Sequence, residues 1–329
     1  MTRTLRLRGA FTALVTPFTA GGALDEIAYR RLVTWQIASG IDGLVPVGTT
    51  GESPTLSQQE RDRCIEIAAT ATATAAQRTN AHRIPVIAGT GSNDTRASIE
   101  ATRRAAALGA DAALIVTPYY NKPDQRMLDA HFRAIADEGG LPIVVYNVPG
   151  RTGANVEADT FLRLAEHPRV IAVKEASANI EQIAVICRDR PRDVSVLSGD
   201  DAAALAVLAM GGDGVISVAS NQIPGEMSAL CHAAIAGDFE TARRIHDRWL
   251  PLLRANFQGA PNPVPAKAAM LAMSLLERDD LRAPLLPLAD APRERLVALL
   301  RVLGLVGTAD VAEASVADDA ETDADEVAA

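Results

Sequence analysis

The feature that most constrains this chain is the repeated alternation of a short apolar run with a longer helical pattern. Eight such pairs follow one another between residues 10 and 236. The apolar runs are continuous and rich in Val, Ile, Leu and Ala, which is typical of parallel strands buried on both faces. Each helical stretch begins near Asp, Ser or another capping residue. The pattern therefore predicts an α/β protein with a parallel sheet.

The predicted strands, each given with the helix that follows it, are 10–15 and 25–38, 43–47 and 57–77, 85–88 and 94–108, 112–116 and 124–136, 142–146 and 158–164, 170–173 and 180–188, 194–197 and 201–210, and 214–218 and 224–236. Eight units without a dinucleotide-binding fingerprint favour a closed (β/α)8 TIM barrel. An open doubly wound sheet is the structural alternative.

Three further helical patterns, at residues 238–257, 263–276 and 292–303, predict a small C-terminal helical extension. We therefore divide the chain into a barrel domain at 1–236, the extension at 237–305 and an acidic tail at 306–329. Eight acidic residues and no basic residue follow Gly307, so the tail carries nearly all of the formal net charge of −9. Such a composition buries too little apolar surface to fold, which predicts a disordered tail.

Composition excludes several classes of protein. An acidic chain is a poor partner for nucleic acid. No apolar run is long enough to cross a membrane, and the basic start lacks the apolar stretch of a secretory signal. The three cysteines are far apart, which argues against a disulfide framework and favours a reducing cytoplasm. The five histidines form no metal-ligand spacing, so no metal is expected.

Unusual polar residues collect at the predicted strand ends. Barrel enzymes place their chemistry at these C-terminal ends and in the loops that follow them. The segments concerned are 48–52, 117–121, 146–153, 174–175, 198–201 and 214–217. The sequence thus predicts a site at the mouth of the barrel.

Lys174 is the central candidate, because it follows an apolar strand that carries it toward this mouth. Burial disfavours an ammonium ion, and the neutral amine is the form that attacks a carbonyl carbon. The alternative is a buried structural lysine paired with Glu175 or another acid. Tyr146 ends the adjacent strand, where its phenol could transfer the protons of imine formation. It could equally be a core tyrosine bonded to backbone.

Two further segments could bind carboxylates. The turn at 48–51 (GTTG) offers backbone N–H groups and the hydroxyls of Thr49 and Thr50. The alternative is an ordinary strand-to-helix turn without a binding role. Arg151 lies in a Pro- and Gly-containing segment, where its guanidinium could bind a carboxylate through two hydrogen bonds. The alternative is a surface arginine that faces solvent. Tyr119 and Tyr120 are adjacent, so at most one is expected to face the site.

Taken together, segments 48–53 (GTTGES), 116–121 (VTPYYN) and 146–152 (YNVPGRT) resemble the pyruvate-dependent class I aldolases. This superfamily includes the dihydrodipicolinate synthases and the N-acetylneuraminate lyases. The resemblance spans residues 9–305 and is strongest to the dihydrodipicolinate synthases. It implies condensation of pyruvate with L-aspartate 4-semialdehyde to 4-hydroxy-tetrahydrodipicolinate, on the route to diaminopimelate and lysine. It also implies a homotetramer that needs no metal or organic cofactor.

The resemblance further implies a role for each matching residue. Lys174 would form the imine with pyruvate. Tyr146, Thr49 and Tyr120 would form a proton relay, with Tyr120 supplied by a neighbouring subunit. The remaining substrate contacts would come from Thr49 and Thr50 on the pyruvate carboxylate, Arg151 on the aldehyde carboxylate, and the backbone of Gly199 and Ile216 around the pocket.

One cluster departs from the family pattern. Members inhibited by lysine usually carry histidines and a glutamate where this chain has Gln58, Arg61 and Ala97. Ser53, Asn93 and Tyr119 do match. Without a carboxylate at position 97 a lysine ammonium loses its expected charge partner, which predicts weak or absent lysine feedback.

Two other functions remain open at this point. The first is another Schiff-base aldolase, such as an N-acetylneuraminate lyase or a 2-keto-3-deoxy sugar acid aldolase. Arg151 favours a short acidic aldehyde over a polyhydroxylated sugar. The second is a non-catalytic ligand-binding barrel that retains the pocket.

Overall fold

A computed structural model describes residues 5–80 and 82–307. Its eight strands pair only in parallel, as the continuous apolar runs predict. They are numbered in chain order: β1 Gly9–Ala13, β2 Gly43–Val45, β3 Ile87–Gly89, β4 Ala112–Val116, β5 Ile143–Asn147, β6 Val170–Glu175, β7 Ser195–Ser198 and β8 Gly214–Ser217.

The strands form a closed ring. Neighbours run in the order β2, β1, β8, β7, β6, β5, β4, β3. The two ends of this order meet through a parallel bridge between Leu44 and Val86. Gly89 also donates its N–H to the carbonyl of Pro46 at 2.9 Å. This closure confirms the TIM barrel and excludes the open sheet.

Helices surround the barrel. Those within the barrel repeats are α1 Glu26–Ala38, α2 Gln58–Thr79, α3 Thr95–Ala107, α4 Gln125–Glu138, α5 Pro149–Thr152, α6 Ala158–Ala165, α7 Ile180–Asp189, α8 Ala204–Ala209 and α9 Pro224–Ile235. Short 3-10 turns lie at Ser53–Thr55 and Ala219–Asn221. Among the described helices none has both the length and the apolarity needed to span a membrane.

The core consists of two apolar clusters. The larger one lies between the strands and the surrounding helices. The smaller one fills the barrel interior and takes alternate positions of the strands, for example Val144 and Tyr146 of β5. Because successive side chains of a strand point to opposite faces, alternate positions share the interior. The interior is therefore a packed core.

The second strand ends earlier than the predicted range of 43–47. Pro46 has no N–H to donate, and Val47 adopts a left-handed conformation with φ of 59°. A β-branched residue at positive φ is strained. The strand therefore breaks at Val45, and the chain turns sharply into the segment 48–52.

Three helices follow the barrel, close to the predicted ranges: α10 Phe239–Ala255, α11 Val264–Ala272 and α12 Asp290–Val302. The helix α10 packs on α8 and α9, and α11 packs on α12. The division into a barrel domain and an extension stays a prediction. The predicted acidic tail, apart from its first two positions, lies outside the described residues.

Candidate active site

Lys174 and Tyr146 lie side by side at the C-terminal ends of β6 and β5. Their Cα atoms are paired in the parallel register. The Nζ atom of Lys174 lies 4.2 Å from the centroid of the Tyr146 ring. Each residue is only 6% exposed. The two groups that the sequence singled out are thus neighbours in the barrel interior.

A register shift between Ile143 and Val144 puts Lys174 on this face. Opposite the shift, Ile171 and Ala172 both belong to the interior cluster, although adjacent strand residues ordinarily face opposite ways. Val173 then packs outward, and Lys174 points inward. Such an irregularity re-aims the side chains that follow it.

Within the described residues, Lys174 makes no ion pair or side-chain hydrogen bond. Glu175, its sequence neighbour, is buried on the other side of the strand. The Glu175 carboxylate accepts from Asn147 Nδ2 at 3.1 Å, Ser177 N at 2.7 Å and Gln182 Nε2 at 3.1 Å. The structural alternative, a Lys174–Glu175 pair, is therefore wrong.

The turn at 48–52 forms another wall of the site. Gly51 and Glu52 donate their N–H groups back to Gly48 and Thr49 at 3.1 Å. In the described part of the chain the N–H groups of Thr49 and Thr50 donate no hydrogen bond. The turn thus presents two N–H groups that donate no hydrogen bond beside two hydroxyls, the kind of donors that a carboxylate accepts.

A buried ion pair holds this turn in place. Lys267 of α11 donates from Nζ to Glu52 Oε1 at 2.6 Å and to the Asp280 carbonyl at 2.7 Å. Lys267 and the Glu52 side chain are essentially inaccessible. Burial lowers the pKa of Lys267, and Glu52 opposes that shift. Sequence reasoning missed this pair, because nothing in the pattern places α11 against the turn.

These residues enclose a cavity of about 170 Å³. Of the eight predicted site residues, six line it: Thr49, Thr50, Tyr146, Arg151, Lys174 and Gly199. The residues that sequence reasoning missed include Asn262 and Phe257, both from the segment around α10 and α11. The segment that connects α10 and α11 therefore contributes directly to the site.

Gly199 lies close to Lys174. A Cβ atom at this position would come within 3.2 Å of Lys174 Cε and 2.6 Å of the Ala176 methyl group. A larger residue would collide with the Lys174 side chain. The close approach explains why a small residue stands here.

Two predicted residues do not line this cavity. Ile216 lies in the apolar cluster of the barrel interior and is almost wholly buried. Tyr120 is 89% exposed and has a left-handed backbone with φ of 74°. Its neighbour Tyr119 faces a second cavity. A single chain does not bring Tyr120 to its own Lys174.

The second cavity, of about 370 Å³, adjoins the first and shares Thr49, Val148 and Arg151 with it. Five of the six positions compared for lysine regulation line it: Ser53, Gln58, Arg61, Ala97 and Tyr119. The sixth, Asn93, donates to the Tyr119 carbonyl at 3.3 Å. The predicted cluster is thus a real cavity beside the site.

Over the described ranges no three His, Cys, Asp or Glu side chains are grouped so that they could hold a metal ion.

The chain matches the family model described as the dihydrodipicolinate synthetase family over residues 6–303. It belongs to that family. A relative from Koribacter versatilis, named 4-hydroxy-tetrahydrodipicolinate synthase, is 47% identical over 310 residues, which cover 94% of this chain and 100% of the relative.

Solved structures agree with this assignment. The chloride-inhibited dihydrodipicolinate synthase of Acinetobacter baumannii, solved with pyruvate, superposes with a TM-score of 0.86 at 41% identity, covering 91% of this chain and 99% of that one. The enzyme of Cyanidioschyzon merolae, solved with lysine bound, gives 0.85 at 40% identity, covering 93% and 100%. The resemblance read from the sequence motifs is confirmed.

Proposed function

We propose that this chain is a lyase that condenses pyruvate with L-aspartate 4-semialdehyde to 4-hydroxy-tetrahydrodipicolinate, a step toward diaminopimelate and lysine. The names of its relatives support this reaction. The observation that carries the proposal is Lys174, a buried amine without a charge partner among the described residues, facing a cavity beside a phenol. That cavity also holds carboxylate-binding groups.

The reaction begins when the neutral amine of Lys174 attacks the ketone carbon of pyruvate. The resulting carbinolamine loses water and becomes an imine, which requires one proton to be removed from nitrogen and one to be added to oxygen. Tyr146 is placed to transfer these protons through its phenol. In the proposed relay, Thr49 would connect this phenol with the Tyr120 side chain of a neighbouring subunit.

The imine then activates the methyl group. It is a better electron sink than the ketone, so loss of a methyl proton gives an enamine, whose carbon attacks the aldehyde. The amine of the second substrate closes the ring on the imine carbon and releases Lys174 unchanged. Because the imine supplies the activation, the proposed route needs neither a metal nor an organic cofactor.

The carboxylates of the two substrates have separate partners. Thr49 and Thr50 hold the pyruvate carboxylate with their hydroxyls and unused N–H groups. Arg151 binds the carboxylate of the aldehyde, since it lines the cavity and has no ion-pair partner in the described chain. The backbone of Gly199 closes one side, and that of Ile216 lies deeper in the barrel.

The assembly completes the proposal. A homotetramer built from dimers would bring Tyr120 of one subunit to the site of another. Its side chain, almost fully exposed on a strained backbone, suits such a role. The cytoplasmic location expected from the sequence belongs to the same proposal.

Borohydride trapping tests the reactive lysine sharply, because the chain has only three lysines. Lys122 is exposed, and Lys267 is inaccessible and paired with Glu52. Reduction in the presence of pyruvate should add one pyruvate-derived group, and peptide mapping should place it on Lys174.

Two variants serve as controls. Lys174→Ala should lose both the adduct and product formation, whereas Lys122→Arg should keep both. Full product formation by Lys174→Ala, or an adduct on another lysine, would overturn the proposed mechanism.

A further inference from the structure

The turn at 48–52 is strained at both of its ends. Val47 and Glu52 adopt left-handed backbone conformations, with φ of 59° and 54°. Residues with a Cβ atom rarely adopt this conformation, and it persists only where the surrounding structure imposes it. The turn that carries Thr49 and Thr50 therefore needs contacts from other parts of the chain to keep its shape.

Contacts from the C-terminal extension supply much of this support. Thr16 Oγ1, from the barrel, donates to the Gly51 carbonyl at 2.7 Å. From the extension, Lys267 Nζ donates to Glu52 Oε1 at 2.6 Å, and Arg282 N donates to Glu52 Oε2 at 3.1 Å. Both oxygens of this carboxylate thus accept from the extension, which is joined to the end of the turn by one buried side chain.

The Glu52–Lys267 ion pair is not explained by stability alone. Both side chains are essentially inaccessible to solvent, and Lys267 Nζ lies 4.3 Å from the centroid of the Phe18 ring. Two charges are costly to remove from water, and apolar side chains of similar size often give equal or greater stability. A charge-assisted hydrogen bond does something that apolar contacts do not, because it fixes the position of the carboxylate and with it the backbone of Glu52.

We propose that Glu52 and Lys267 are positioning residues for the capture of pyruvate. They hold the turn in the conformation in which the N–H groups of Thr49 and Thr50 donate to no described group and remain available to the pyruvate carboxylate. Neither Glu52 nor Lys267 is among the described residues that line the active-site cavity, so both act through the turn. The inference rests on the proposed function, because it gives the C-terminal extension a role in binding the first substrate.

Capture of pyruvate can be measured without the second substrate. The readout is the pyruvate concentration that gives half of the maximal borohydride adduct on Lys174. In Lys267→Met this concentration should rise by about tenfold or more, the scale of one hydrogen bond to a charged group. The KM for L-aspartate 4-semialdehyde at saturating pyruvate should change by less than about threefold, because the imine is already formed when the aldehyde binds.

A double variant separates positioning from stability. Lys267→Met leaves the buried Glu52 carboxylate without its cation, so this variant should also be destabilised. Glu52→Met combined with Lys267→Met removes both charges, and the two apolar side chains beside Phe18 should restore most of the lost stability. The hydrogen bond between turn and extension stays absent, so weak capture of pyruvate should persist. Normal capture by a folded double variant would overturn the proposal, whether or not the single variant folds.

Arg190→Met is the matched control for destabilisation. Arg190 Nη2 lies 2.7 Å from Asp213 Oδ2 in an ion pair that is also largely buried. Asp213 directly precedes β8, so this pair lies at the opposite end of the parallel barrel from Lys174. Arg190→Met should lower the urea midpoint but leave the half-maximal pyruvate concentration unchanged. An equal rise in Arg190→Met and Lys267→Met would show that destabilisation alone weakens capture, and would overturn the proposal.

The proposed function can fail separately from this inference. Wild-type protein that traps pyruvate on Lys174 but forms no product with the aldehyde would refute the proposed reaction, while the capture measurements would still test the ion pair. Wild-type protein that traps no pyruvate on Lys174 would refute both. Unchanged capture in Lys267→Met, with product formed by the wild type, would refute the inference alone.

Discussion

Lys174 and Lys267 show two outcomes for a lysine buried in one protein. Lys267 is completely buried, and its ammonium is matched by Glu52 and by a carbonyl group. Lys174 is nearly as buried, yet the described residues offer it no acid, only the face of an aromatic ring. An unpaired buried amine costs stability, because desolvation is not repaid by a partner. We therefore attribute the position of Lys174 to the proposed reaction with pyruvate, whereas Lys267 holds the 48–52 turn through Glu52.

Tyr146→Phe tests the proton transfer at the same scale. The Tyr146 hydroxyl makes no hydrogen bond to the described residues, so its removal leaves no protein group unsatisfied and the fold should be retained. Turnover should fall by about 10²-fold or more, the usual contribution of a positioned acid–base group. Steady-state assays and thermal unfolding would measure the two effects.

Tyr29→Phe is the matched control for this substitution. Tyr29 is also a buried tyrosine, and its hydroxyl lies in the core away from both cavities. It should keep near-normal turnover. If Tyr146→Phe did the same, another group would have to carry the protons.

At the scale of elements, the sequence predicts the strands well and the packing of the last helices poorly. Continuous apolar runs reveal buried parallel strands, and a lysine directly after such a run must lie at the barrel mouth. The register shift beside Ile171 leaves no mark in the pattern, because both of its residues are apolar. Helical periodicity likewise predicts α11, but it does not indicate which part of the chain packs against the buried face of that helix. Asn262 and Lys267 were missed for this reason.

The N-terminus of α2 depends on a charge contact that can be tested by pH. Arg282, in the segment before α12, donates to the Glu60 carboxylate, which also caps the helix through Ser57 N at 2.8 Å. Arg282 lowers the pKa of Glu60 from 4.5 to about 2. A depressed pKa stabilises the folded state above the unfolded value, and this stability is lost as pH falls from about 4.5 toward 2.

Glu60→Gln should therefore lower the free energy of unfolding at pH 7 by on the order of 1–3 kcal/mol. The difference from wild type should shrink as the pH is lowered below about 4.5, because wild type then loses the same contact. Urea midpoints at neutral and acidic pH measure this directly. Glu66→Gln, on an exposed pair with Arg63 in the same helix, should cost about 0.5 kcal/mol or less. A difference that grows on acidification would contradict this account.

At the scale of the whole molecule, the two adjoining cavities could connect regulation with catalysis. They share Thr49, Val148 and Arg151, so a ligand in the larger cavity would contact residues that also line the active-site cavity. The larger cavity does contain acids, but these are engaged. Asp62 accepts from Gln58 at 2.5 Å, and Glu100 is paired with Arg96 at 3.2 Å. Both carboxylates also lie near an arginine, so an incoming lysine would have to compete with these cations for them.

We therefore expect the activity to be nearly insensitive to lysine at millimolar concentration. Ala97 lies on α3 at the edge of this cavity, so Ala97→Glu would restore the carboxylate that the family pattern has there. This variant should gain measurable inhibition by lysine, since a charged hydrogen bond contributes about 1.5–3 kcal/mol. Strong inhibition of wild type by submillimolar lysine would show that Gln58 and Arg61 form a functional effector site after all.

The whole molecule also decides whether the site is complete, because Tyr120 does not line the active-site cavity of its own chain. If a partner supplies this residue across a two-fold interface, two inactive variants should complement each other. Lys174→Ala retains Tyr120, and Tyr120→Phe retains Lys174. In a mixed dimer, the site of the Tyr120→Phe subunit receives an intact tyrosine from its partner. Random mixing should recover about a quarter of the wild-type activity.

The control for this mixing experiment pairs Lys174→Ala with Tyr146→Phe. Lys174 and Tyr146 lie on adjacent strands of one chain, so every site in the mixture lacks one of them. No recovery is expected there, although the subunits exchange in the same way. Recovery with Tyr120→Phe but not with Tyr146→Phe would place Tyr120 across the interface. Native mass spectrometry would verify that mixed oligomers form. If they form and neither mixture recovers activity, each chain carries out its chemistry without Tyr120 of its neighbour.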